Sequence, residues 1–126
     1  RRGLFPLGGS TVRLQRQIAF TNAADLLLTG RLISAQEAKE LGLIGHVVPD
    51  GQAMAKAREL ADMIAENGRL AVRAVLQSMR GTADMSEADG LQRELEIGEP
   101  IIFNTNDAKE GPRAFKEKRK PNFTGT

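Results

Sequence analysis

The side chains best suited to binding an anion crowd together near the C-terminal end of the sequence. Within one short stretch the chain carries a set of cations: Arg113, Lys116, Lys118, Arg119 and Lys120. Such a patch can meet phosphate groups, but cations in a last helical turn can equally complement the negative end of the helix dipole. Taken alone, the cluster favours the second interpretation.

Thiol and imidazole chemistry has little to work with in this chain. There is no cysteine, and His46 is the one histidine. Disulfides, thiolate sites and a cysteine nucleophile are excluded, and the usual zinc ligand sets cannot be assembled. A Ser/His/Asp triad would have to pass through His46, which we expect to be a packed or exposed imidazole. The sequence therefore predicts no metal site.

Acidic residues form a short cluster at Glu94, Glu96 and Glu99. Paired carboxylates can perform general acid/base chemistry, but charges at this spacing more often form a solvated helix face. We expect the solvated face here.

Overall composition predicts one soluble, cytoplasmic unit. The chain has 126 residues, with 18 basic and 16 acidic side chains and a net charge of +2, which is too little to imply a nucleic-acid partner. No apolar run reaches the roughly 20 residues that span a bilayer, so no membrane partner is expected. The start, Arg1-Arg2-Gly3, lacks an initiator methionine and predicts that the chain begins inside a longer sequence.

Turn and cap signals predict a mostly helical chain. Residues 3–10 form a Gly- and Pro-rich turn, and Ser10 or Thr11 is expected to cap the helix that follows it. A second cap is expected at Thr21, with Gly30 just beyond the end of that helix.

Ser34 and Glu37 match the capping box, and Gly42 is placed to end this short helix. The β-branched stretch 46–49 predicts a short edge strand or an extended link, since Pro49 ends it. Asp50 is expected to cap the next helix.

Later helices are predicted on both sides of Gly68, from Ser86, and from Thr105 or Asn106. Interior prolines remove a backbone hydrogen bond at a cost of about 3 kcal/mol. We therefore expect the helix containing Pro100 to kink or restart near residues 98–99, and the last helix to be interrupted at Pro112.

Three blocks of sequence, in order, resemble the enoyl-CoA hydratase/isomerase (crotonase) family. The middle block, LLTGRLISAQEA at 27–38 followed by LGLIGHVVP at 41–49, is similar to the family signature LLTGRxISAxEAxxxGLVxxVVP. Residues 3–14 resemble the family's GxxPGxGGTQRL turn and helix, and residues 108–125 resemble AxEGxxAFxEKRxPxFTG. Together the blocks cover nearly the whole chain.

The resemblance implies a fold. The chain would be a mostly α fragment of the α/β crotonase fold, a ClpP/crotonase-like ββα superhelix with a C-terminal helical trimerisation region. Residues 1–49 would form the end of the core, and residues 50–126 the region that mediates oligomerisation and contacts coenzyme A. The implied assembly is a homo-oligomer, a trimer or a dimer of trimers.

The resemblance also implies a reaction. The substrate would be an acyl-CoA thioester, with no further cofactor, and the chemistry would be hydration or double-bond isomerisation of a 2-enoyl-CoA, as in fatty acid β-oxidation. An enolate-like thioester oxygen requires N–H donors, and water addition requires paired carboxylates. In the family these groups precede the position of Gly3, so no catalytic residue is expected in this chain. The alternative is a non-catalytic acyl-CoA-binding or assembly protein.

Two groups of residues match the family's substrate-binding positions. The turn beside the acyl group would be formed by Leu4, Phe5, Pro6, Leu7 and Gly8, with Leu7 at a position where hydratases commonly carry Gly. Phe115 and Lys118 match positions that approach the adenine ring and the phosphates of coenzyme A. We predict these seven residues as the substrate-binding set.

Overall fold

A computed structural model describes residues 3–126; Arg1 and Arg2, on which the predicted internal start rests, lie outside the described residues. No strand forms between residues 3 and 126, and 46–49 is an extended link. The predicted mostly α fragment is therefore confirmed. The helices are α1 (Ser10–Gln17), α2 (Phe20–Thr29), α3 (Ala35–Glu40), α4 (Ala53–Ala65), α5 (Arg69–Gly81), α6 (Glu87–Asn104) and α7 (Asn106–Lys116).

The described residues divide into two compact units, one ending at residue 56 and the other formed by residues 57–126. In the first, α1 packs against α2; in the second, α5 packs against α6 and α6 against α7. The proposed division into a core end (1–49) and an oligomerisation region (50–126) concerns a larger protein and stays a prediction.

Three helices begin at side-chain caps that the sequence predicts. The hydroxyls of Ser34, Ser86 and Thr105 accept hydrogen bonds from the backbone N–H three residues later, at 3.1 to 3.2 Å. Each cap satisfies one amide that the first helical turn leaves without an intrahelical partner. These starts are fixed locally, which is why the sequence reveals them.

Three other predicted caps are wrong. Gly9, with φ +91°, caps α1 in place of Ser10 or Thr11, and its carbonyl accepts from Arg13 N–H at 2.9 Å. Helix α2 begins after Ala19 instead of Thr21, with no side-chain cap. Helix α4 begins at Ala53, so Asp50 lies in the turn before it. In the first two cases the backbone turn, and not a side-chain oxygen, sets the start.

The interior prolines do not break their helices. Helix α6 runs through Pro100 and α7 through Pro112, so neither the predicted restart nor the predicted interruption occurs, and the kink given as the alternative at residues 98–99 stays a prediction. Helix α6 packs against both α5 and α7, and these contacts offset the one hydrogen bond that each proline removes.

The buried apolar residues are few and mostly small: Ile18, Ala23, Ala38 and Ala114. Most large aliphatic and aromatic side chains of residues 3–126 remain at least partly exposed. None of the helices in this part of the chain is both long and apolar enough to cross a membrane. Helix packing alone therefore leaves much apolar surface in contact with water.

Candidate functional site

The turn before α1 presents large apolar side chains to solvent. Leu4, Phe5 and Leu7 are all more than two-thirds exposed, and Leu7 is 87% exposed. Leu7 N–H donates to the Phe5 carbonyl at 3.0 Å, which closes a three-residue turn around Pro6. The turn then continues through Gly8 into the cap of α1. Its shape is set by the backbone, and its side chains form an exposed apolar surface.

The other predicted residues, Phe115 and Lys118, lie together where α7 ends. Phe115 is 87% exposed. Lys118 N–H donates to the Phe115 carbonyl at 3.2 Å, and Arg119 N–H donates to the Ala114 carbonyl at 3.1 Å. This pair of bonds is the Schellman motif, which places the residue after the helix cap in the left-handed region. Lys118 occupies that position, with φ +53°.

The cations of the C-terminal cluster fall into two classes. Arg113 and Arg119 both bind Glu110, at 2.6 Å each, and Arg119 also binds Glu117. Among residues 3–126, no hydrogen bond or ion pair is assigned to the side chains of Lys116, Lys118 and Lys120, which are exposed. The arginines are thus neutralised within the fold, and the lysines remain available to an anion.

Glu110 holds the chain that follows α7. It is only 6% exposed, and its Oε1 accepts from Arg119 Nη1 at 2.6 Å and from Asn122 N–H at 2.9 Å. Its Oε2 accepts from Arg113 and from a second Arg119 nitrogen. Hydrogen bonds from Arg119, then from the Asn122 amide and Arg113, hold the pKa of Glu110 well below the ordinary range of a carboxyl.

Asp107, one turn earlier on α7, holds the last residues in the same way. It is 8% exposed, and its oxygens accept from Thr124 N–H at 2.7 Å and from Gly125 N–H at 2.9 Å. Asn106 N–H donates to the Thr126 carbonyl at 2.6 Å. We call Asp107, Glu110 and the segment 117–126 that they bind the C-terminal clasp.

Arg69 closes the clasp from α5. Its Nη2 donates to the Thr124 carbonyl at 2.7 Å. Gly125 has φ +73°, and a Cβ there would overlap the guanidinium end of the Arg69 side chain. The left-handed conformation favours glycine at this position, and a larger residue would displace Arg69.

The sequence did not single out the clasp carboxylates. Asp107, Glu110 and Ala114 are the buried residues of α7, and they lie at helical spacing on one face. The available signal was that two acids share a helix face with Ala114. Buried carboxylates require partners, so this spacing could have indicated that another segment covers that face.

The TGR segment of the middle block is a structural junction. Arg31 Nε binds Asp25 of α2 at 2.7 Å, and its Nη2 binds Glu37 of α3 at 2.7 Å. The hydrogen bonds that Arg31 donates to Glu37 and then to Asp25 raise its pKa above the ordinary value. Gly30, at φ +61°, ends α2 and turns the chain so that Arg31 can join the two helices.

The remaining candidates are exposed. His46 lies in the extended link, and Glu94, Glu96 and Glu99 all face solvent on α6. Arg93 binds Glu96 at 2.8 Å and lowers its pKa. Within residues 3–126, no cluster of three His, Asp or Glu side chains is arranged to hold a metal.

Helices α5 and α6 form an apolar groove of about 760 Å³. Its lining includes the side chains of Val75, Met79, Leu95, Ile102 and Phe103, each more than half exposed. Apolar surface of this kind, concentrated along one helix pair, is typical of an interaction face.

Comparisons with known proteins agree with the sequence signatures. The family model for enoyl-CoA hydratase/isomerase matches residues 1–126. The chain is 62% identical over 120 residues to the Mycobacterium tuberculosis protein named enoyl-CoA hydratase EchA19, covering 95% of this chain and 45% of that protein. It is 37% identical over 123 residues to the Mycosarcoma maydis enoyl-CoA isomerase/hydratase fer4, and the match covers 98% of this chain and 44% of that protein.

A solved structure supports the same assignment. The crystal structure of an enoyl-CoA hydratase from Bacillus anthracis aligns with a TM-score of 0.92 at 44% identity, over 98% of this chain and 48% of that one. The chain thus spans less than half the length of these relatives. With its fold, its three signature blocks and these similarities in agreement, the chain belongs to the enoyl-CoA hydratase/isomerase family.

Proposed function

We propose that the full-length protein carrying this chain processes a 2-enoyl-CoA, by water addition or by double-bond isomerisation, and that this chain supplies part of its coenzyme A site. The catalytic carboxylates are assigned outside residues 1–126. Relatives are named both as hydratases and as isomerase/hydratase, and both reactions pass through an enolate-like thioester. On this proposal the 126-residue chain alone turns over nothing.

One observation carries the proposal: an exposed aromatic ring and a lysine with no assigned partner are adjacent at the end of α7. The π-face of Phe115 can stack on a base, and the ammonium of Lys118 can bind a phosphate. Coenzyme A carries an adenine ring and phosphates close together. This pairing matches that ligand better than it matches a plain helix end.

The charge arrangement supports the same ligand. Glu110 and Glu117 neutralise the arginines of the cluster, whereas Lys116, Lys118 and Lys120 keep positive charge at the surface. A phosphate approaching the end of α7 therefore meets lysines and not arginine forks. The helix-dipole interpretation that the sequence favoured accounts for the charge but not for this separation.

The turn at residues 4–8 is proposed to lie beside the acyl group. Its exposed apolar side chains suit a hydrocarbon chain, and Leu7 adds bulk there. Because hydratases commonly carry Gly at this position, Leu7 argues against plain hydration of a short enoyl-CoA. Whether the reaction is hydration or isomerisation depends on carboxylates outside this chain.

We also propose that the protein is a homo-oligomer, in which the α5/α6 groove is covered by a second copy. The groove is apolar and its side chains are largely exposed, and specific stable interfaces place such residues at their centre. A trimer or a dimer of trimers is the proposed assembly, and a cytoplasmic location stays a prediction from the sequence.

Calorimetric titration of the full-length protein with acetoacetyl-CoA tests the proposed function. We expect Lys118→Ala to weaken binding about tenfold, the loss of one charge-assisted phosphate contact, and to reduce the salt dependence of the dissociation constant. Lys109→Ala is the matched control, because it removes an exposed lysine charge from α7, the helix that Lys118 follows. Equal binding by all three proteins would contradict the coenzyme A site.

A second experiment tests whether the catalytic residues lie outside residues 1–126. The 126-residue chain alone should show no crotonyl-CoA hydration, whereas the full-length protein should turn over an enoyl-CoA. Measurable hydration by the chain alone would overturn the assignment of the catalytic carboxylates outside it. A full-length protein that binds acetoacetyl-CoA but turns over no enoyl-CoA would instead support the non-catalytic alternative.

A further inference from the structure

Lys118 adopts a backbone conformation that its side chain disfavours. It is the one non-glycine residue with positive φ among residues 3–126. In the left-handed region the Cβ of an L-residue crowds the following carbonyl oxygen, so glycine is the usual occupant. A disfavoured conformation persists only where surrounding contacts determine it, and such positions cluster at functional sites.

The C-terminal motif of α7 does not by itself select lysine. Helix α3 ends in the same pair of bonds, from Gly42 N–H to the Lys39 carbonyl and from Leu43 N–H to the Ala38 carbonyl. There the left-handed residue is glycine, with φ +78°. The same turn thus occurs twice in this chain, once with the unstrained residue and once with Lys118.

What distinguishes the α7 end is the carboxylate that holds the segment after Lys118. Glu110 accepts two hydrogen bonds from the guanidinium of Arg119, the next residue, at 2.6 and 3.0 Å. It also accepts from the Asn122 backbone N–H at 2.9 Å. The chain is fastened immediately after Lys118 and again three residues later, so the turn that contains Lys118 has little freedom.

We infer that Glu110 is a positioning residue for coenzyme A binding: through Arg119 and Asn122 it holds Lys118 in its left-handed conformation, beside Phe115. The inference rests on the proposed function. A lysine side chain loses much freedom when it binds a phosphate, and a backbone that is already fixed reduces the ordering required on binding.

Glu110 has a second effect on the same site. Arginine forks bind phosphate in bidentate fashion, so an unpaired Arg119 would compete with its neighbour for the ligand. By taking both Arg119 and Arg113, Glu110 leaves the lysines, Lys118 among them, as the cations that can contact a phosphate near this turn. Position and charge at the turn therefore depend on one buried carboxylate.

A double-mutant cycle in the full-length protein, with coenzyme A as the titrant, tests the inference. We expect Glu110→Gln to weaken coenzyme A binding about fivefold, the effect of releasing one flexible side chain, and to increase its salt dependence, because Arg113 and Arg119 lose the carboxylate that neutralises them. Lys118→Ala should weaken binding about tenfold and reduce the salt dependence. The double variant should bind no more weakly than Lys118→Ala alone, because Glu110 then has no Lys118 ammonium to position and the freed Arg119 can contact the phosphate.

Glu96→Gln is the matched control, since Glu96 pairs with Arg93 at the same i,i+3 spacing without touching the tail. It should leave binding unchanged. If Glu110→Gln does not fold, Arg119→Lys replaces it in the cycle, because lysine keeps the charge but cannot form both bonds.

The outcomes separate the two claims. Loss of binding in Lys118→Ala together with an additive effect of Glu110→Gln would overturn the positioning role but leave the coenzyme A site standing. Unchanged binding in Lys118→Ala would overturn both claims. A non-additive cycle with an inert Glu96→Gln control supports the positioning role, because a general loss of structure would weaken binding in either background.

Discussion

The turn at residues 3–9 precedes α1 and contains the predicted substrate-binding residues 4–8. The tail at residues 117–126 follows α7, contains Lys118 and comes shortly after Phe115. The turn is shaped by one internal backbone hydrogen bond and the glycine cap of α1, and its large side chains face solvent. The tail is bound along its length by Asp107, Glu110 and Arg69. Within the described residues, hydrogen bonds therefore hold the segment proposed to bind phosphate, whereas the side chains proposed to contact the acyl group are exposed and uncovered.

This difference follows from where each segment finds its partners. The tail returns over α7 and meets carboxylates that are 6% and 8% exposed, so its hydrogen bonds form away from bulk water. The turn has apolar side chains that gain little until another surface covers them. The proposed phosphate contact is thus held by hydrogen bonds within this chain, whereas the described residues leave the apolar turn uncovered.

Substitution of glycine in the two segments should give the largest contrast. Gly125→Ala introduces a Cβ that overlaps the Arg69 side chain and strains a residue at φ +73°, whereas a Cβ at Gly3, at φ +65°, meets no atom of the described residues within 4 Å. We expect Gly125→Ala to cost about 2–3 kcal/mol, from backbone strain and the lost Arg69 hydrogen bond, and Gly3→Ala about 1 kcal/mol from strain alone. Thermal unfolding of the full-length protein measures both, and equal losses would break the comparison.

Exchanging the left-handed residues at the ends of α3 and α7, Gly42 and Lys118, should have a smaller effect. At Lys118 the substitution should raise stability but weaken binding. Lys118→Gly relieves the left-handed strain and should raise the free energy of unfolding by about 1 kcal/mol, while coenzyme A binding weakens about tenfold. Gly42→Lys should lower stability by a similar amount and leave binding unchanged. A Lys118→Gly variant that loses both stability and binding would show that the lysine is merely structural.

Lowering the pH should destabilise the tail but not the turn, and this is the smallest of the three expected effects. The folded pKa of Glu110 lies below the value of about 4.3 expected when the chain is unfolded, so its ion pairs stabilise the fold fully above that pH. This stabilisation is lost as the pH falls from about 4.3 toward the depressed pKa. Unfolding measured from pH 7 to pH 3 should show a steeper decline for the native protein than for Glu110→Gln. Parallel curves would argue against the buried pairing.

Local signals in the sequence were sufficient for much of the fold. Ser34, Ser86 and Thr105 cap their helices as predicted, because the hydroxyl and the amide it bonds are three residues apart. The starts of α1 and α2 were missed because backbone turns at Gly9 and Ala19 set them. The continuous helices at Pro100 and Pro112 were missed because packing between helices, which no local rule contains, outweighs one lost hydrogen bond.

The proposed site divides in the same way. Phe115 and Lys118 could be predicted from their sequence motif, because two residues three positions apart at a helix end lie close together in any fold. Glu110 and Asp107 act on residues 9 to 18 positions away, through a chain reversal after α7. Their role can be assigned only once that reversal is known, although two acids on one face of α7 were a sequence signal that this face has polar partners.

The central claim is that the end of α7 binds the phosphates of coenzyme A with Lys118 held in place in advance. A crystal structure of the full-length protein with coenzyme A tests it most directly. We predict Lys118 Nζ within about 3 Å of a phosphate oxygen, the adenine on the face of Phe115, and a positive φ at Lys118 both with and without the ligand. Coenzyme A bound with its phosphates on other residues, and Lys118 in solvent, would contradict the account.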